Sequence, residues 1–245
     1  MMSAFKLSCL ASLVFLVIAI ILVACTKDKT APTPLEHLRD AVATVEVHGF
    51  DEKGHDVADT GTGFFISKDG YFVTAKHLLD DVVAKGVTPE NLTFTVKMQP
   101  HELKSGMPAV TSWKSSAGDA MVLLVKFGRT KFNILHSNLD SRDAIELGIT
   151  PIFTGGFSQD YPLLLDSGII KSFDGPENNL LPLWVTNMSF KYGQSGSPII
   201  LADGTVIAIV TAIDQDASTI GFVTPIRDIP SYYWDSNRRN LSNVK

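Results

Sequence analysis

The chain has 245 residues, 45% hydrophobic and 19% charged, with 18 glycines and 12 prolines. That is enough apolar material for a core, and it excludes a disordered or collagen-like chain. A net charge of −5 without a long basic run gives a nucleic-acid role no electrostatic support, and two cysteines, Cys9 and Cys25, build neither a disulfide framework nor a thiolate metal site.

Lys6 is the only charge before Lys27, and Leu10 to Val23 is almost wholly apolar. A basic start, an apolar stretch and then small residues describe a secretory signal. Without residues 1–24 the mean hydropathy falls from +0.16 to roughly −0.1, ordinary for a water-exposed domain. Leu22-Val23-Ala24-Cys25 resembles the bacterial lipobox, in which the Cys thiol is lipidated and becomes the mature N-terminus. The alternative is an uncleaved anchor, since the 20 uncharged residues from Leu7 to Thr26 are long enough to span a bilayer. The expected organisation is a signal peptide over 1–24 and a tether over 25–41. A domain follows over 42–235, with a polar tail over 236–245.

Residues 26–34 are polar and Pro-containing, and a brief helical turn is expected at Leu35–Asp40. Strands follow at Ala43–Val47, Gly63–Ile66, Tyr71–Thr74, Leu92–Met98 and Met121–Phe127. A second group comprises Pro151–Thr154, Leu163–Lys171, Leu183–Thr186, Ser197–Leu201, Thr205–Ala212 and Gly221–Thr224. Val, Ile, Phe and Thr dominate these runs, and Asp-Gly pairs at 69–70 and 203–204 mark hairpins. Residues 99–118 read as a long loop, 128–142 as a connector between two halves, and Arg227–Trp234 as a short helix. Closely spaced strands predict an all-β barrel or sandwich. The histidines at 37, 48, 55, 77, 101 and 136 lack the paired spacing of zinc ligands, and no metal or cofactor is expected.

Gly193-Gln194-Ser195-Gly196-Ser197-Pro198 is the strongest local signal. Flanking glycines let the backbone turn sharply and present a hydroxyl beside free N–H groups, although Gly/Ser turns also occur in β proteins without function. His77 follows the strand Tyr71–Thr74 and leads into an apolar turn, and Asp119 stands before the apolar run Met121–Val125. Alone, His77 also reads as a half-buried histidine capping a turn, and a lone Asp119 is more often a turn aspartate. Their order His77, Asp119, Ser195, with spacings of 42 and 76 residues, resembles that of the chymotrypsin-fold serine proteases, and more closely their bacterial HtrA-type branch. The resemblance covers about residues 42–228. Leu139-Asp140-Ser141 with Leu147-Gly148 is similar to the family's inter-barrel connector. Asp203–Ile213 and Ile220–Ile226 are similar to its closing strands.

The resemblance implies two six-stranded antiparallel β-barrels packed face to face, at about 42–127 and 146–226, with the active site in the cleft between them. It implies Ser195 as nucleophile, His77 as general base and then acid, and Asp119 as the carboxylate that orients it. The N–H groups of Gly193 and Ser195 would form the oxyanion hole. Ser189 would floor the specificity pocket, with walls near Val210, Thr211 and Ala212, and small or medium apolar residues would be preferred at the cleaved position. Gln194 stands where zymogen-type relatives use Asp, so activation by a freed N-terminus is not expected. With about 20 residues after the last strand, the PDZ domain of larger HtrA proteases is not expected. The expected activity is a serine endopeptidase of the bacterial cell envelope, lipid-anchored through Cys25 and acting on proteins or peptides. The alternative is a non-catalytic binding or scaffold module on the same fold.

Overall fold

The computed structural model describes residues 33–98, 106–126, 132–137, 141–158, 162–173, 183–213 and 220–234. In chain order it contains α1 (Pro34–Arg39), β1 (Val42–Phe50), β2 (Asp56–Phe65), β3 (Tyr71–Ala75), α2 (His77–Ala84), β4 (Thr93–Lys97), β5 (Met107–Lys114) and β6 (Ala120–Val125). Then come β7 (His136–Ser137), β8 (Pro151–Gly156), β9 (Leu164–Ser172), β10 (Trp184–Thr186), β11 (Pro198–Ile200), β12 (Thr205–Ile213) and β13 (Gly221–Pro225). The first six strands close into a barrel in the order β1-β2-β3-β6-β5-β4. The second barrel runs β11-β8-β9-β10-β13-β12 and closes by pairing β12 back onto β11, with the two-residue β7 parallel to β12 on its rim. Closure leaves neither sheet an open edge to satisfy.

The alternation of the strands decides what each face meets. In β1, Val45 and Val47 point into the core while Glu46 and His48 face outward, and Glu46 accepts from Lys97 Nζ at 2.7 Å across the sheet. β11 divides its side chains between two cores: Ile199 joins the interior of the second barrel, and Ile200 joins a larger cluster shared with the first. Val206 and Ile209 of β12 enter that shared cluster too, together with Trp234. The barrels are therefore held together by buried apolar side chains as well as by hydrogen bonds.

Three expectations need correction. Residues 107–114, read as loop, form β5, which pairs with both β4 and β6. Only Met107 and Ala109 of that strand are buried, so its sequence shows little of the apolar alternation that marks a half-buried strand. The apolar segment after His77 is a helix, α2, which buries Leu78, Leu79 and Val82; it starts without a side-chain cap, so the usual start signal is missing. The segment Arg227–Trp234 makes only a 3-10 turn at Ser231–Tyr233. The compact unit formed by the described residues begins at Thr33. Thr33 and Glu36 form a capping box on α1, and Leu38 is fully buried in the shared core. Residues 128–131 and 138–140 of the expected connector, Phe127 at the end of the strand before it, and the signal segment with Cys25 lie outside the described residues.

Candidate active site

Asp119 and His77 meet because β3 and β6 are neighbours in register. Ala75 pairs with Ala120, so the residue after β3 and the residue before β6 leave the sheet at the same end. The Lys76 N–H donates to the Asp119 carbonyl at 2.6 Å and locks this junction. The Asp119 carboxylate, 1% exposed, accepts the His77 backbone N–H on Oδ1 at 2.8 Å, and its Oδ2 lies 2.7 Å from His77 Nδ1. A carboxylate can only accept, so Nδ1 carries the proton and Nε2 is left with its lone pair. Nε2 lies 3.0 Å from Ser195 Oγ and is placed to accept the hydroxyl proton.

Burial pulls the His77 pKa down. The hydrogen bond and charge of Asp119, helped by the charges of Asp81 and Asp59, outweigh that burial and leave it above the ordinary imidazole value.

Ser195 arrives from the second barrel, in the loop before β11. Its carbonyl accepts from the Thr62 N–H of β2 at 2.8 Å, which docks the loop onto the first barrel. Gly193 has φ +93° and Gly196 φ +85°, left-handed conformations that glycine adopts without strain. A Cβ at Gly196 would also collide with the Thr62 carbonyl and Thr74 Oγ1. Gln194 turns inward, 2% exposed, and its Oε1 accepts the Lys191 N–H at 2.8 Å. The N–H groups of Gly193 and Ser195 donate to no acceptor among the described residues. Two free donors beside a hydroxyl, with an imidazole acceptor on its other side, can stabilise an anion at that position.

The site opens into a cleft of about 400 Å³. The second barrel lines it with Phe190, Tyr192, Val210 and Thr211, and the first with Asp59, Asp81 and Lys85, besides His77 and Ser195 themselves. Ser189 is not there. It is exposed, because its neighbours Met188 and Phe190 both turn into the second-barrel core and an extended chain points every other residue outward. Phe190 takes the inner position instead, its ring lying on Gly221, where a Cβ would collide with it. The backbone of Ala212 belongs to β12, but its side chain lies outside the described residues. The sequence reading missed Phe190, Tyr192, Asp59 and Asp81 as cleft residues. The aromatic pair so close before Ser195 was the one available signal.

Among the described residues no three His, Cys, Asp or Glu side chains gather as a metal site, and no helix is long and apolar enough to cross a membrane.

Residues 61–209 match the model of the trypsin-like peptidase domain. A probable periplasmic serine endoprotease, DegP-like, of Hahella chejuensis is 25% identical over 162 residues, 64% of this chain and 30% of that protein. A putative serine protease HhoB of Synechocystis is 28% identical over 180 residues, 69% of this chain and 38% of that protein. The chain thus spans about a third of the length of these curated relatives. Among solved structures, a serine endoprotease from Yersinia pestis superposes with a TM-score of 0.56 at 20% identity, over 80% of this chain and 64% of that one. The HtrA-type protease AlgW, with a decapeptide, gives 0.62 at 18% identity, over 78% and 62%. These two likenesses concern the fold.

Proposed function

Because the chain belongs to the trypsin-like peptidase family, we propose that it is a serine endopeptidase, exported and tethered to the bacterial cell envelope, that cleaves peptide bonds through an acyl-enzyme. One observation carries the reading: the unbroken path from the Asp119 carboxylate through both His77 nitrogens to Ser195 Oγ, at 2.7 and 3.0 Å.

In this mechanism Ser195 Oγ attacks the peptide carbonyl while His77 Nε2 takes its proton. Asp119 holds the ring in the competent tautomer and stabilises the imidazolium as it forms. Negative charge that develops on the carbonyl oxygen would meet the free N–H groups of Gly193 and Ser195. Each such donor is worth about 3 kcal/mol of transition-state stabilisation. His77 then returns its proton to the departing amine, and water repeats the sequence on the acyl-enzyme. No group beyond these side chains and the backbone is called upon.

Cys25 would carry the lipid, consistent with the lipobox at Leu22–Cys25 and with the word periplasmic in the name of one relative. The substrates are proposed to be proteins or peptides. A fluorophosphonate, which reacts only with an activated serine, tests the catalytic reading directly. Covalent labelling of Ser195 is expected, together with its loss and the loss of casein hydrolysis in a folded Ser195→Ala variant. An unlabelled wild-type chain would instead favour a binding module on a protease fold.

A further inference from the structure

Thr62 of β2 is fully buried and belongs to the first barrel, yet most of its hydrogen bonds go to the second. Its N–H donates to the Ser195 carbonyl at 2.8 Å, and its hydroxyl donates to the Gly193 carbonyl, also at 2.8 Å. The same Oγ1 accepts the Phe157 N–H at 2.9 Å. The Phe157 carbonyl lies 3.5 Å away, too far to compete for the single hydroxyl proton. The Thr62 carbonyl accepts from Thr74 Oγ1 at 2.7 Å, on the strand that leads to His77. We propose that Thr62 is a positioning residue whose hydroxyl holds the Gly193–Ser195 loop with its N–H groups turned toward the substrate oxygen.

The argument follows three consecutive peptide planes, in each of which the C=O and the next N–H point in opposite directions. The plane joining Gly193 to Gln194 is held at both ends, by the Thr62 hydroxyl on the carbonyl and by the Lys191 carbonyl accepting the Gln194 N–H at 3.0 Å. The plane joining Gln194 to Ser195 is held through its carbonyl by the Ser197 N–H at 2.9 Å, which leaves the Ser195 N–H facing away and free. The plane joining Ser195 to Gly196 is held by the Thr62 N–H and by the Val210 carbonyl, which accepts the Gly196 N–H at 2.7 Å. The Gly193 N–H is connected to these fixed planes only through the φ and ψ of Gly193, a residue with wide conformational freedom. Without the Thr62 hydroxyl, the plane next to those free torsions loses one of its two ties. The backbone bond from Thr62 to Ser195 would survive, so the loop would stay docked while its donors lost their aim.

This inference rests on the proposed hydrolase reading, and the test separates the two. Thr62→Val keeps the volume and removes the hydroxyl, whereas Thr62→Ser keeps the hydroxyl and removes a methyl. With the full chain and a chromogenic peptide, the Val variant is expected to lose about tenfold or more in kcat with KM within about twofold, a fraction of what a missing oxyanion donor costs. Fluorophosphonate labelling should slow in parallel, and the Ser variant should recover most of both rates. Should the Val variant lack the cooperative melt of the parent, Thr62→Ala replaces it, because it brings no methyl against the Phe157 N–H and the Gly193 carbonyl. Parent-like kcat and labelling in the hydroxyl-free variant would overturn the role of Thr62 alone. So would a Ser variant as impaired as the Val variant, since the methyl would then be what matters. A parent chain that takes no label would overturn the hydrolase reading, and this inference with it.

Discussion

His77 is protonated more readily than a free imidazole, and general-base catalysis needs it neutral. The sign of the pH dependence follows. Since Asp119, Asp81 and Asp59 raise its pKa against the pull of burial, the acid limb of kcat/KM should have its midpoint above the ordinary value of about 6.5. Activity should fall as pH drops through that midpoint. Asp81→Asn removes one of the negative charges and should move the midpoint down with little effect on the plateau; a pH–rate profile of both proteins checks it. Specificity belongs to the same scale. Phe190 fills the space above Gly221, and Val210 and Thr211 beside it carry no charge, the one second-barrel charge among the described lining residues being Lys191. Burying an unpaired charge there would be costly, so a peptide library should select small or medium apolar residues at the cleaved position. Strong selection for Arg, Lys or Glu would mean that Lys191 or the acidic first-barrel lip reaches the pocket.

The loop between β5 and β6 delivers Asp119, and Ser115 holds that loop in shape. Its hydroxyl donates to Asp228 Oδ2 and accepts the N–H groups of Ala117 and Gly118, at 3.1 and 2.6 Å. Asp228 follows β13, so a carboxylate from the end of the second barrel supports an aspartate of the first. Ser115 is 4% exposed, and its removal would strand the Gly118 N–H and one Asp228 oxygen. Ser115→Ala should therefore lower stability by about 1–3 kcal/mol, read as a shift of the urea midpoint. It should also lower activity by more than the unfolded fraction explains, because the carboxylate behind His77 loses its support. An unchanged midpoint would show that water replaces the hydroxyl at no cost.

At the scale of the whole molecule, α1 opens the compact unit. Leu38 packs in the core shared by the two barrels, so the fold takes hold of the chain at Thr33. Seven residues of the sequence separate Cys25 from that point. Two or three acyl chains anchor stably because each buried methylene contributes about 0.8 kcal/mol. Cys25→Ser should move the protein from the membrane to the soluble fraction without changing kcat on a small peptide. A mature chain that still starts at Met1, seen by mass spectrometry, would favour the uncleaved anchor.

Strand content and the punctuating Asp-Gly turns were legible in the chain because they depend on period-two patterning and turn chemistry, and the order of His77, Asp119 and Ser195 was legible through its resemblance to a known family. The two-barrel architecture followed from the resemblance those residues carry, and the strand pairings agree with it. Tertiary structure decided the rest. β5 is a strand because two neighbours need its backbone, although only two of its eight side chains are buried. Whether Ser189 or Phe190 faced the cleft depended on a one-residue choice of phase that burial in the second core settled. Thr62 looked like one polar residue between two glycines. Its hydroxyl acquired partners 95 and 131 residues away only when the barrels closed on each other, and contacts of that sequence separation leave no local pattern in the chain.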